Sequence, residues 1–324
     1  MENAAELWLE HRLENGSSLL GSFVRAEFLK EKVIRIDASA LGHRVDRWWK
    51  NHPTRQIDDL THSELKKEIL EYMSLDYLNL LRKVGLAKSG VAALLLEHTF
   101  NISDKNLALV VHEVMSDIAG IVDVKYPYES HKELFPKNNS EIDSDWGKGL
   151  GIIRPHSDDL YESRAVNTMS LTVCKDTSCT PTWLWLLQDI VSCLTDQELG
   201  EFVLAEALYC SGKNVEGTSF VVKKPVLRKD EAEGFGLRLD FRIDPTLGAR
   251  MKFESETTSK LFDRMRQCLR TIKPVSTNPS TGSISIISNY KALHGRSSLN
   301  AKMLTEGESS RILFRSKGFK ESYL

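Results

Sequence analysis

Leu150-Gly151-Ile152-Ile153-Arg154-Pro155-His156-Ser157-Asp158 is a short strand-like run that closes on His-x-Asp. In an extended strand, residues i and i+2 project to the same side. An imidazole at 156 and a carboxylate at 158 can therefore converge on one ion. Runs of the same kind recur along the second part of the chain: Gly120–Tyr126, Met169–Cys174, Thr182–Leu187, Phe235–Ile243, Ser283–Ser288 and Arg311–Arg315. Most are short and bounded by Gly, Pro, Ser, Asn or Asp, the residues that make turns. Ser283-Ile284-Ser285-Ile286 alternates polar and apolar and predicts a half-buried sheet.

Upstream, the pattern is helical. Residues 3–14 and 18–33 carry apolar side chains at helical spacing. Thr61 followed by Glu64 is a capping-box pattern that predicts a helix over Leu65 to Val84. Val91 to Leu96 is continuous and apolar, as a buried strand is, and Asn106 to Ile118 returns to helical periodicity. Two more helices are expected near residues 195–208 and 255–271. Many short strands behind a helical front predict an α+β fold. Its core would be a double-stranded β-helix (jelly-roll, cupin-like) flanked by helices. Residues 1–324 then form one domain, with 1–119 a mainly helical buttress and 120–320 the core. The polar stretch within 209–234, rich in Gly and Lys, is either an active-site lid or a long surface loop. Barrels of this kind take ligands in the mouth between their sheets.

Composition narrows the function classes. The chain has 324 residues, 41% hydrophobic and 27% charged, with a formal net charge of -2. That balance fits an ordinary globular protein and speaks against nucleic acid as a partner, because phosphate affinity needs clustered Lys and Arg. No stretch reaches the ~18 apolar residues of a membrane span, and the acidic N-terminus lacks an apolar signal region. The five cysteines, Cys174, Cys179, Cys193, Cys210 and Cys268, contain no C-x-x-C pair. Their odd number and spacing predict reduced thiols and a cytoplasmic protein.

His-x-acid alone carries little information. Nine His and 45 acidic residues in 324 give about one match by chance, and the chain has three: His62-Ser63-Glu64, His131-Lys132-Glu133 and His156-Ser157-Asp158. Only the last follows a strand. A second signal lies near the C-terminus, in Leu293-His294-Gly295-Arg296 and then Arg311-Ile312-Leu313-Phe314-Arg315. His294 closes a strand-like run and can complete a two-His, one-carboxylate set, which leaves open positions on iron(II). Arginine holds a carboxylate through two parallel hydrogen bonds, which suits a site that keeps a dicarboxylate keto acid beside the metal.

Together, His156-x-Asp158, His294-Gly295-Arg296 and the Arg311/Arg315 pair resemble the clavaminate-synthase-like iron(II)/2-oxoglutarate oxygenases, which include hydroxylases of free amino acids. The resemblance covers roughly residues 120–320. It implies that His156, Asp158 and His294 hold Fe(II), and that O2 and 2-oxoglutarate are co-substrates. It further implies that Arg311 binds the distal carboxylate of 2-oxoglutarate with help from Thr182. Arg315 would take the α-carboxylate of an amino-acid substrate and Glu129 its α-amino group. Asp240, in Leu237-Arg238-Leu239-Asp240-Phe241-Arg242, is similar to the acidic residue that reaches the substrate side chain. Arginine hydroxylases of the group carry a second Asp two positions on, where this chain has Arg242. Losing one carboxylate favours a primary ammonium over a guanidinium. The expectation is therefore hydroxylation of L-lysine at C4 or C3, as in the free lysine hydroxylases. Arginine, ornithine and asparagine stay open as substrates. A non-catalytic jelly-roll binding protein and a zinc hydrolase stay open as other classes, and oligomeric state is not readable.

Overall fold

Ile284–Ser288 is buried along its whole length, and its two faces explain the architecture. Ile284 and Ile286 pack into a cluster with helical residues, while Ile287 packs into another with residues of a second sheet. The half-buried strand expected from the Ser-Ile alternation is instead a central one, with Ser283 and Ser285 also buried. In the computed structural model, the described residues are 17–29, 31–52, 57–83, 90–124, 133–134, 150–158, 160–162, 166–211, 221–230, 233–244, 248–299 and 311–320.

The larger sheet runs in the order Lys32–Asp37, Val91–Glu97, Ile284–Ser288, Thr168–Asp176, Arg311–Lys320, Ile121–Asp123, with Glu133–Leu134 also paired to Arg311–Lys320. Its first pair is parallel and the pairs beyond it antiparallel. The smaller sheet runs Val275–Ser276, Trp183–Leu186, Ala292–Arg296, Ile153–His156. Ala93, Leu95, Met169 and Leu171 of the larger sheet meet Leu184, Leu186 and Ala292 of the smaller one in a shared apolar layer. The two sheets thus face each other.

Helices cover both outer surfaces. Ser39–Asn51, Asp59–Tyr72, Leu75–Lys83 and Lys105–Ile118 pack on the larger sheet. Ser17–Phe28, Leu187–Val191, Asp196–Val203 and Glu256–Cys268 pack behind the smaller one, against Trp185, Leu293, Leu239 and Phe241. Helices Ser17–Phe28 and Asp196–Val203 approach backbone to backbone. A Cβ at Gly21 would lie 1.6 Å from the Asp196 carbonyl oxygen, and one at Gly200 1.6 Å from that of Ser17. Only glycine allows that approach.

Several elements differ from the sequence expectation. The helix expected over 18–33 ends at Phe28, and Val33 lies in strand Lys32–Asp37. Residues 3–14 lie outside the described residues. Strand Val91–Glu97 joins that strand to the larger sheet, so the N-terminal part supplies two strands as well as helices. The capping box at Thr61 is not used: Asp58 caps the helix by accepting from the Thr61 N–H at 2.7 Å. That helix stops at Tyr72 and a second begins at Leu75. The helix near 195 carries a capping box made by Thr195 and Glu198, but it stops at Val203 and strand Glu206–Cys210 follows. Within 209–234, residues 221–225 and 227–230 form strands, while 212–220 and 231–232 lie outside the described residues.

The cysteine expectation is overturned at one pair. Cys193 and Cys268 form a disulfide across 75 residues. Cys193 lies just beyond helix Leu187–Val191, and Cys268 ends helix Glu256–Cys268. Spacing along the chain cannot reveal that these helix ends pack together. Cys174, Cys179 and Cys210 take no part in that disulfide. Among the described residues, no helix is long and apolar enough to cross a membrane.

Candidate metal centre

His156 and His294 are cross-strand partners in the smaller sheet. Directly paired residues share a face. Leu293 points outward into the helical layer, so its neighbour His294 points between the sheets. Gly295 makes this pairing possible: a Cβ there would lie 2.4 Å from the Ile153 carbonyl oxygen. The glycine of the His-Gly-Arg segment is thus a packing requirement. The arginine is structural as well, since Arg296 donates to the Gly151 and Ser297 carbonyls at 2.7 and 3.0 Å.

Asp158 joins the two imidazoles. Its Oδ1 lies 3.5 Å from His156 Nε2 and its Oδ2 3.7 Å from His294 Nε2. The imidazole rings are 4.2 Å apart between centroids. One ligand atom from each of the three residues falls within 4.8 Å of the others, and all three residues are buried. His156 Nδ1 is 2.9 Å from the Arg154 carbonyl oxygen. That contact places the ring proton on Nδ1 and leaves the Nε2 lone pair facing the cluster. Asp158 Oδ2 is buried and has no hydrogen-bond partner among the described residues, a costly state for a carboxylate unless a cation takes it. The set fits a divalent metal.

The electrostatics agree. Burial opposes ionisation of Asp158, but His294, Lys317, His156 and Arg315 outweigh it and hold the carboxyl well below its usual range. Burial, with repulsion from His156, Arg242 and Arg315, pushes His294 well below the ordinary imidazole value, against the pull of Asp158. An ionised carboxylate and a neutral imidazole are the forms that bind metals.

Asn289 holds the Asp158 backbone, a role invisible in the sequence. Its Oδ1 accepts from the Asp158 N–H at 2.9 Å, and its Nδ2 donates to the carbonyls of Asp158 and Val166 at 3.1 and 2.7 Å. Arg228 donates in turn to the Asn289 carbonyl and lies over the Tyr290 ring, 3.8 Å from its centroid.

Arg311 is buried in the larger sheet. It is aimed by Asp176, whose Oδ2 accepts from Nε at 3.0 Å, and by the Thr180 carbonyl, which accepts from Nη2 at 3.1 Å. Asp176 was not foreseen, being 135 residues away in sequence. Thr182 enters strand Trp183–Leu186, its N–H donating to Thr277 Oγ1 at 3.0 Å. Arg315 lies near enough to act on both Asp158 and His294. Glu129 lies outside the described residues.

Asp240 faces the histidines, bridged in register with His156. Its carboxylate is not open, however. Arg242 grips it through Nε at 2.9 Å and Nη2 at 2.8 Å, and the Arg242 N–H adds a third bond at 3.0 Å. Burial alone would raise the Asp240 carboxyl, yet Arg242 keeps it below its usual range.

Two facing sheets, with a buried His-Asp-His cluster on and just beyond strands of the smaller one, make a fold shared with solved non-haem iron oxygenases. Two solved structures make the likeness specific. An asparagine oxygenase, solved with Fe(II), 2S,3S-3-hydroxyasparagine and succinate, aligns over 89% of this chain and 93% of its own, at 13% identity and a TM-score of 0.67. The non-heme iron oxygenase OrfP, solved with Fe and alpha-ketoglutaric acid, aligns over 90% of this chain and 95% of its own, at 14% identity and a TM-score of 0.65. OrfP has also been solved with Fe, succinate and (3S)-hydroxy-L-Arg. No family model matches the sequence, and no curated protein matches it by sequence.

Proposed function

We propose that the protein is an iron(II)/2-oxoglutarate-dependent dioxygenase that hydroxylates an aliphatic carbon of a free L-amino acid, within a jelly-roll core. The buried His156–Asp158–His294 cluster, with its unpartnered Asp158 oxygen, carries this reading. His156, Asp158 and His294 hold the metal. Bound iron(II) with its keto-acid chelate supplies the dioxygen activation and C–H oxidation that no side chain can perform. The overall change balances: one oxygen atom enters the substrate C–H bond, the other enters succinate, and carbon dioxide leaves.

The chain's own groups bind and aim. Arg311, aimed by Asp176, takes the distal carboxylate of 2-oxoglutarate, with Thr182 beside it. Arg315 takes the substrate α-carboxylate and Glu129 the α-amino group. Holding the substrate at both ends decides which carbon faces the metal.

Two side-chain readings follow from Asp240. L-Lysine, hydroxylated at C4 or C3, rests on the resemblance to lysine hydroxylases and on Asp240 as the acceptor of its ammonium. A side chain that itself accepts hydrogen bonds is favoured by the Asp240–Arg242 pair, because a cationic side chain must first displace Arg242. Breaking such a buried pair costs about 3–5 kcal/mol. The deciding experiment is succinate release with iron(II), 2-oxoglutarate and each of the twenty amino acids. Amino-acid-stimulated succinate is expected from the wild type and none from His156→Ala. Equal release from both would sink the oxygenase reading.

A further inference from the structure

The strand pairing places four groups in one row. His294 is opposite His156, and His156 is bridged to Asp240. The Ser157 N–H donates to the Leu239 carbonyl at 2.9 Å, and the Phe241 N–H to the Pro155 carbonyl at 3.0 Å. Segment 239–241 therefore continues the smaller sheet past its edge strand. Asp240 lies on the face of the two imidazoles, and Arg242, two residues on, returns to the same face. Arg242 reaches the cluster electrostatically: it acts on His294, and Asp158 acts on it.

We infer that Arg242, locked by Asp240, is the specificity-determining residue of this site, and that it receives a carboxylate or carboxamide at the end of the substrate side chain. This rests on the proposed oxygenase reading and chooses between its two side-chain alternatives. The lock consumes Nε and Nη2 of the guanidinium and both oxygens of Asp240. Nη1 makes no hydrogen bond to a described residue and is left to a ligand. Arginine offers an incoming carboxylate a planar, permanently charged donor edge. Asp240 accepts two hydrogen bonds at Oδ1 and one at Oδ2, all from Arg242, so its charge is already met by the guanidinium before an ammonium arrives.

The charge balance points the same way. Among the described residues, Arg242, Arg250, Arg315 and Lys317 act on Asp158, Asp240 or His294. Two carboxylates, Asp158 and Asp240, oppose these four cations. A divalent ion raises the excess to four positive charges, and a keto dicarboxylate lowers it to two. An acidic side chain lowers it to one, whereas a lysine or arginine side chain raises it to three. Repulsion of that kind matters most where solvent is excluded.

The test is anoxic calorimetry on the iron(II)-loaded protein, first with 2-oxoglutarate and then, at saturation, with aspartate, glutamate, asparagine, glutamine, lysine and arginine. At least one acidic or carboxamide amino acid is expected to bind tenfold or more tighter than lysine and arginine. Arg242→Asp should reverse that order by rebuilding a two-carboxylate pocket. Arg242→Lys, which keeps the charge and the fold but loses the fork, should weaken acidic amino acids tenfold or more while preserving the order. Tighter binding of lysine or arginine by the wild type, or affinities for acidic and carboxamide amino acids that Arg242→Lys leaves unchanged, overturns the inference and leaves the oxygenase reading intact. Failure of 2-oxoglutarate itself to bind overturns that reading instead.

Discussion

Asn289→Ala tests whether the Asp158 carboxylate is held in place from behind. The wild-type amide makes three buried hydrogen bonds, one from the Asp158 N–H and two to the carbonyls of Asp158 and Val166. The side chain is almost fully enclosed, at 3% exposure. Truncation orphans one N–H and removes a donor from two carbonyls. At roughly 1–1.5 kcal/mol for each group, the expected loss is about 3–5 kcal/mol. Urea denaturation of the metal-free protein measures it. The same change frees the Asp158 segment, so cobalt(II) affinity by calorimetry should fall about 10–100-fold. Asn289→Asp separates shape from donation. It keeps an acceptor for the Asp158 N–H but presents carboxylate oxygens to two carbonyls, so it should do no better than alanine. An Asn289→Ala protein within about 1 kcal/mol of wild type, with unchanged cobalt affinity, would refute the argument.

Two further outcomes follow from buried features away from the metal. Burial pushes the Glu31 carboxyl up to about 8, against the opposing pull of the Gln188 N–H and Lys291. Above its ordinary value of 4.5, the folded state keeps a proton that the unfolded chain releases. Stability should therefore fall as pH rises from about 5 to 8, by up to about 1.4 kcal/mol per unit from this group. Glu31→Gln should flatten that decline in urea midpoints taken across the range, and identical slopes would contradict it. Replacing Cys193 and Cys268 together by serine should cost about 2–4 kcal/mol. Reductant should lower the wild-type melting temperature and leave that variant unmoved, and alkylation of the denatured but unreduced wild type should label Cys174, Cys179 and Cys210 alone.

How much of this protein was legible before folding depends on how local each signal is. His156 and Asp158 are two residues apart on a strand, so the alternation of a pleated chain already pointed them together. The runs around 168–176, 183–186 and 284–288 announced themselves by composition and turn residues. The His-Gly-Arg segment and the arginines at 311 and 315 stood out for the same reason, being short patterns in one strand or its end. These local patterns placed strands along the chain, while the nomination of His156, Asp158 and His294 as metal ligands came from the family resemblance their motifs carry.

Register and packing decided the rest, because they join residues that the chain keeps far apart. Asp176 aims Arg311 across 135 residues, Asn289 holds Asp158 across 131, and Cys193 meets Cys268 across 75. No local periodicity encodes such pairs. Strands Lys32–Asp37 and Val91–Glu97 entered the larger sheet for a tertiary reason too: Ile284–Ser288 needed a partner along its open edge. Asp240 and Arg242 were visible two residues apart from the start. Only burial beside the imidazoles, where an unpaired charge is costly, turned them into a closed ion pair and changed what the pocket is suited to receive.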